Sequence, residues 1–162
     1  MAILVSDSSV LIDLERAQLL SIALASPLEL VVPDELFYAE LASYGGEAWL
    51  QSGLIMVPLE GDEVQRAQTY LSRAPALSII DAYALALAAS RTWVLLTGDS
   101  RLRREAERDQ VDVHGILWLL ELLSATEDPA ALAAGLRRLR GDPRTRLPIP
   151  AVEALLTLLE SR

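Results

Sequence analysis

The chain has 162 residues, of which 52% are hydrophobic, and a net charge of −9 at pH 7; this suits one domain with a real core and excludes a disordered chain. It contains no Cys and no Lys, so all 14 basic residues are Arg. The first absence excludes disulfides, thiolate nucleophiles and zinc–thiolate sites; the second excludes a P-loop, Schiff-base catalysis and phosphoryl-aspartate chemistry that depends on a Lys.

No apolar run reaches the roughly 18–20 residues that cross a bilayer. No basic region precedes "AILV". Neither a membrane span nor a secretory leader is therefore expected, and the expected location is the cytoplasm. The charge is uneven. Residues 1–100 carry 4 Arg against 13 acids, whereas residues 101–146 carry 9 Arg against 8 acids. The overall sign argues against a general nucleic-acid binder, but the Arg residues gather after position 100.

In chain order the pattern alternates strand and helix. "AILVS" is a strand, and "SSVLIDLERAQLLSIALAS" is one helix ended before Pro27. "LELVVP" is a short strand, followed by the helix "DELFYAELASYG" with Asp34 as its cap and glycines at its end. A short helix at "EAWLQS" leads to a third strand, "LIMVPL". Two helices follow, "DEVQRAQTYLSRA" and "LSIIDAYALALAASR", the second capped by Ser78. "TWVLLT" is the fourth strand, "DSRLRREAERD" an exposed helix, "VDVHG" a short fifth strand and "ILWLLELLSA" an apolar helix. Non-alternating Val- and Leu-rich strands between helices predict α/β architecture: three α/β/α layers around a central parallel sheet of four or five strands. Residues 1–126 form the predicted core domain. Residues 127–162 form a helical C-terminal extension packed on the core or on a partner, with "GDPRTRLP" joining its two helices.

Ligands of open α/β sheets sit outside the carboxyl ends of strands, where strand order reverses. Asp7 follows the first strand and Asp99 the fourth, so both carboxylates reach one edge if those strands are central neighbours. Glu40 and Asp81 lie on apolar helices that could join them. Taken singly, each acid has a simpler account. Asp7 and Asp99 suit N-caps equally well, Glu40 suits a solvated helix face, and Asp81 suits a first turn favoured by the helix dipole. Taken together, four acids converging on one edge need a cation, and without Cys the ligands are oxygens, which suits Mg²⁺ or Mn²⁺.

On these residues the sequence resembles the PIN domains of VapC-like toxins and related solitary bacterial PIN proteins. Asp7 in "ILVSDSSVLIDL", Glu40 in "VVPDELFYAEL", Asp81 in "LSIIDAYALALA" and Asp99 in "VLLTGDSRLR" match the family's four acidic positions in order, and Thr97 matches a small hydroxyl residue two before the last Asp. The resemblance covers about residues 1–123. The ending, "VHGILWLLELL" then "RLPIPAVEALLTLLES", resembles another branch of the family more than the well-studied toxins.

The resemblance implies a Mg²⁺- or Mn²⁺-dependent ribonuclease. Asp7, Asp81 and Asp99 would be its metal ligands, Glu40 would act through water or as a base, and Ser8 and Thr97 would support them from behind. It also implies an RNA substrate and a basic antitoxin as partner, and an unpaired apolar face on either terminal helix would predict a homodimer. The net charge of −9 supports a different class, a catalytically weak or inactive PIN-fold module that binds a basic protein through its acidic surface.

Other residues are assigned less directly. The Arg-rich helix after Asp99 suits either a solvated face paired with Glu105, Glu107 and Asp109 or RNA-phosphate contact, for which Arg101 and Arg104 stand nearest Asp99. Asp13 is expected on a solvated helix face. His114 is expected to make a structural hydrogen bond at a strand end, and Trp49, Trp93 and Trp118 are expected in the core. The tail arginines from Arg137 to Arg146 suit either an RNA-facing arm or a partner contact.

Overall fold

The computed structural model describes residues 2–162. Five strands, β1 (Ile3–Ser6), β2 (Glu29–Pro33), β3 (Ile55–Val57), β4 (Val94–Leu96) and β5 (Val113–His114), form one parallel sheet in the order β3-β2-β1-β4-β5. Successive strand residues point to opposite faces of a sheet. Leu4, Val5 and Ser6 of β1 are all buried, as are Leu30 to Val32 of β2. Both faces are therefore covered, and the architecture is the three-layer α/β/α expected from the sequence.

Ten α-helices surround the sheet among the described residues: α1 (Ser8–Arg16), α2 (Leu20–Ala25), α3 (Asp34–Leu36), α4 (Gly46–Ser52), α5 (Gly61–Arg73), α6 (Ile79–Arg91), α7 (Ser100–Arg108), α8 (Ile116–Leu123), α9 (Pro129–Gly141) and α10 (Ile149–Glu160). Helix α6 lies against β1, β2 and β4. Its run of Ala82, Ala84, Leu85, Ala86, Leu87 and Ala88 is buried. The alanines let the backbone approach the sheet, while each buried Leu contributes about 1.5–3 kcal/mol. Ser78 caps this helix and accepts from the Asp81 backbone N–H at 3.0 Å.

Two predicted helices break. The stretch 8–26 is two helices, α1 and α2, because Gln18 turns left-handed with φ of 60°. The Leu19 N–H donates to the Leu14 carbonyl (2.8 Å) and the Gln18 N–H to that of Glu15 (3.0 Å). This is a Schellman stop with Gln where Gly is usual, and it folds α2 back so that Leu19 and Leu20 are buried. The stretch 34–45 is α3, a π-helical turn (Phe37–Leu41) and a 3₁₀ turn (Ala42–Tyr44). Pro33, not Asp34, holds the N-cap position, and the Asp34 carboxylate accepts from the adjacent Glu35 N–H. The wider turn buries Phe37 and Leu41 and leaves Glu40 exposed.

The C-terminal pair packs on the core. Arg138 donates to the Ala17 carbonyl at the end of α1 (2.9 Å). Gly135 of α9 lies so near Leu19 that a Cβ there would come within 2.5 Å of both Leu19 Cδ atoms. Helix α10 packs on α8 and α9. The chain passes from β3 through α5 and α6 to β4 on the far side of β1, so the order reverses between β1 and β4. The crevice beyond the carboxyl ends of those two strands is the ligand position of such sheets.

Candidate functional site

Strands β1 and β4 pair with Ser6 opposite Leu96, which brings the residues that follow them side by side. Asp7 is buried and caps α1. Its Oδ1 accepts from the Val10 N–H (2.9 Å) and from Ser9 Oγ (2.9 Å), and its Oδ2 accepts from Thr97 Oγ1 (2.5 Å). Thr97 Oγ1 in turn accepts from the Asp99 backbone N–H (3.0 Å). One buried hydroxyl thus ties the two strand-end aspartates together. The Asp99 carboxylate caps α7, accepting from the N–H of Arg101 (2.8 Å) and Leu102 (3.4 Å). Both aspartates cap helices, and both line the same cleft. A carboxylate has enough lone pairs to do both.

The cleft has a volume of about 590 Å³ and is lined by Asp7, Asp81 and Asp99 at the switch point. Glu40 stands outside its lining, but its Oε2 accepts from Ser8 Oγ (2.9 Å), and Ser8 lines the cleft. The electrostatics agree with this gathering. The Asp81 carboxyl is pushed up to about 6, first by burial and then by the Asp7 carboxylate, with smaller contributions from Asp99 and Glu40 and opposition from Ser78. Burial also raises Asp7, against the hydrogen bonds from Thr97, Val10 and Ser9 that favour its ionised form. Among the described residues, no Arg or His forms an ion pair with any of these four acids.

These donors fit a hard divalent cation in chemistry: all are oxygens, clustered and uncompensated. They do not form a closed cage. Among the described residues, no three His, Asp or Glu side chains stand in ligating arrangement. That suits an ion held by one or two carboxylates that keeps several waters, as Mg²⁺ does.

Other expected residues stand elsewhere. Arg101 and Arg104 line a separate depression with Ala74, Ala76 and Leu77. Arg103 takes the place beside the acids, with its Nη2 3.4 Å from the Thr97 carbonyl. Asp13 is not on a solvated face; it is half-buried and lines the cleft, its carboxyl raised by burial against the pull of Arg16. His114 Nε2 lies 2.7 Å from Asp112, and its ring stacks on Trp118 at 4.0 Å. Trp49 is buried and Trp93 packs at the core's edge, whereas Trp118 is half-buried and lines the cleft. The remaining wall is Arg144 to Pro148. Its one mark in the sequence is the Arg-rich linker between the last two helices.

The fold and the cleft define a class: a parallel α/β domain with carboxylates gathered at its switch point. Residues 3–161 match the family described as "DUF3368: PIN domain". The chain belongs to this PIN domain family, in which nucleases are typical. The match runs through α9 and α10, beyond the stretch that carried the resemblance. In structure the chain is similar to a PilT N-terminus domain protein, SSO1118, from the hyperthermophilic archaeon Sulfolobus solfataricus P2. The TM-score is 0.54 at 15% identity, over 76% of this chain and 93% of that one. It is likewise similar to PAE2754 from Pyrobaculum aerophilum, with a TM-score of 0.56 at 20% identity over 77% and 97%. Both share the fold. No curated protein matches the chain. No helix among the described residues is long and apolar enough to cross a membrane.

Proposed function

We propose that this protein is a divalent-metal-dependent ribonuclease that hydrolyses RNA phosphodiester bonds. The observation that carries the proposal is that Asp7, Asp81 and Asp99 line one cleft at the switch point, with Glu40 joined through Ser8 and, among the described residues, no Arg or His paired to any of these four. Membership of the PIN family supports it.

Mg²⁺ or Mn²⁺, when bound, supplies an acidified water and neutralises charge on the phosphate. The chain does the rest. Thr97 fixes Asp7 and Asp99 relative to each other through two hydrogen bonds, so the two strongest candidate ligands are preorganised. Asp81, raised first by burial and then by the Asp7 carboxylate, would hold the ion in its ionised form, which a neighbouring cation favours. Glu40, exposed at a π-helical turn and hydrogen-bonded to Ser8, which lines the cleft, would receive the proton of an attacking water. π-Turns inside helices are frequent at functional sites. The same uncompensated acids would accept an Arg or Lys from a basic antitoxin, which makes a toxin role part of the proposal.

The test compares cleavage of RNA and DNA strands by wild type and Asp99→Asn, with Mn²⁺ and with EDTA. RNA cleavage confined to wild type with Mn²⁺ is expected. Cleavage that persists equally in EDTA and in the variant overturns the metal mechanism.

A further inference from the structure

The cleft has two unlike sides. One carries the acids; the other is built by the first turn of α8, with Trp118, and by the strap 142–148 between α9 and α10. The strap is held in shape by its own contacts. Asp142 accepts from the Arg144 backbone N–H (2.9 Å) and grips its guanidinium at 2.9 and 2.6 Å. Thr145 Oγ1 donates to the carbonyl of Leu139 (2.6 Å) and also meets that of Asp142 (2.9 Å). Leu147 packs on the core. Both ends are anchored, at Arg138 on α1 and through α10 on α8.

The two strap arginines therefore differ. The charge of Arg144 is already used by Asp142. Arg146 lines the cleft, is exposed, and makes no ion pair or side-chain hydrogen bond among the described residues. An unpaired guanidinium that lines the same cleft as a cluster of carboxylates, without pairing to them, suits an anion bound in that cleft. Leu147, Pro148 and Trp118 beside it supply apolar and aromatic surface. Acids, an unpaired cation and the apolar surface of Leu147, Pro148 and Trp118 lining one cleft match a nucleotide: phosphate near Arg146, base or sugar against the strap and the part of Trp118 that lines the cleft.

We propose that the C-terminal extension forms a substrate wall of the cleft, with Arg146 as a phosphate-binding residue. The inference rests on the ribonuclease reading of the acids and extends it to a segment outside the residues that carry the chemistry. The strap positions substrate and does not touch the reacting bond.

The test is fluorescence anisotropy of a short end-labelled oligouridylate over a salt series, with Ca²⁺ in place of Mn²⁺. Wild type is compared with Arg146→Ala, Arg146→Lys and the control Arg140→Ala, whose arginine pairs with Glu153 away from the cleft. Arg146→Ala is expected to weaken binding roughly tenfold and to reduce the slope of log affinity against log salt by about 0.7, the value of one phosphate on a single strand. Arg146→Lys should keep most of that slope, and Arg140→Ala should match wild type. Unchanged binding in Arg146→Ala, or no binding by wild type, overturns the proposal. So does tighter binding in Arg146→Ala, which would make Arg146 an internal cation competing with the substrate. Mn²⁺ titration of wild type separates the two ideas. Arg146-dependent binding without Mn²⁺ uptake leaves the strap standing and removes the ribonuclease; Mn²⁺ uptake with Arg146-independent binding does the reverse.

Discussion

Substitution of Asp81 by Asn is expected to stabilise the metal-free protein while it removes metal binding. The carboxyl stands at about 6 in the fold against its ordinary 3.8, raised first by burial and then by Asp7, Asp99 and Glu40. Two units correspond to about 3 kcal/mol at 1.36 kcal/mol each. Asp81 is only half-buried, so solvent screening reduces this to about 1–2 kcal/mol. The sign follows from linkage. Because the folded state holds the proton more tightly, stability is fully present below 3.8, is lost as pH rises through about 6, and stays reduced above that. Asn keeps the shape and carries no charge. At neutral pH the variant should therefore melt roughly 3–6 °C higher, and below 3.8 the gain should vanish. Scanning calorimetry in EDTA at both pH values measures it. With Mn²⁺ the order reverses, because only wild type gains stability from a bound ion. A variant that is less stable at neutral pH, or equally stabilised at both, would refute the claim that burial and the neighbouring acids together disfavour the ionised Asp81 carboxylate.

Two further substitutions test the hydrogen bonding at the site and the docking of α9. Thr97→Val removes the donor to Asp7 and the acceptor for the Asp99 N–H; denaturant unfolding should show a loss of about 1–3 kcal/mol. The same change should raise the Asp7 carboxyl further and shift Mn²⁺ binding to higher pH, which titrations at two pH values would detect. Gly135→Ala drives a methyl into fully buried Leu19. It should cost about 1–3 kcal/mol by overpacking, read by urea unfolding, and a neutral result would mean that α9 docks less tightly than the structure shows.

Local signals were the legible ones. Ser78 three residues before Asp81 marks a helix start, and the structure has that cap. Asp7 and Asp99 follow β1 and β4, and burial of consecutive strand residues agrees with the parallel sheet inferred from their apolar runs. What escaped depends on tertiary neighbours. Nothing in "RAQLL" marks Gln18 as left-handed, because a Schellman stop without Gly is decided by what Leu19 can bury. The π-helical turn at Glu40 is likewise invisible, since it repays its poorer geometry by burying Phe37 and Leu41. Arg101 and Arg104 are close to Asp99 in sequence, but they share a helix stripe that faces Leu77, while Arg103 faces Gly115 and the acids. The strap left only an Arg-rich linker as its trace, because its position is set by where α9 and α10 dock.

Calorimetric titration of Mn²⁺ into wild type and Asp99→Asn at neutral pH tests the central claim most directly. The account predicts saturable binding to wild type and strongly weakened binding to the variant. Absence of binding to wild type at millimolar Mn²⁺, or equal binding to both proteins, would contradict it.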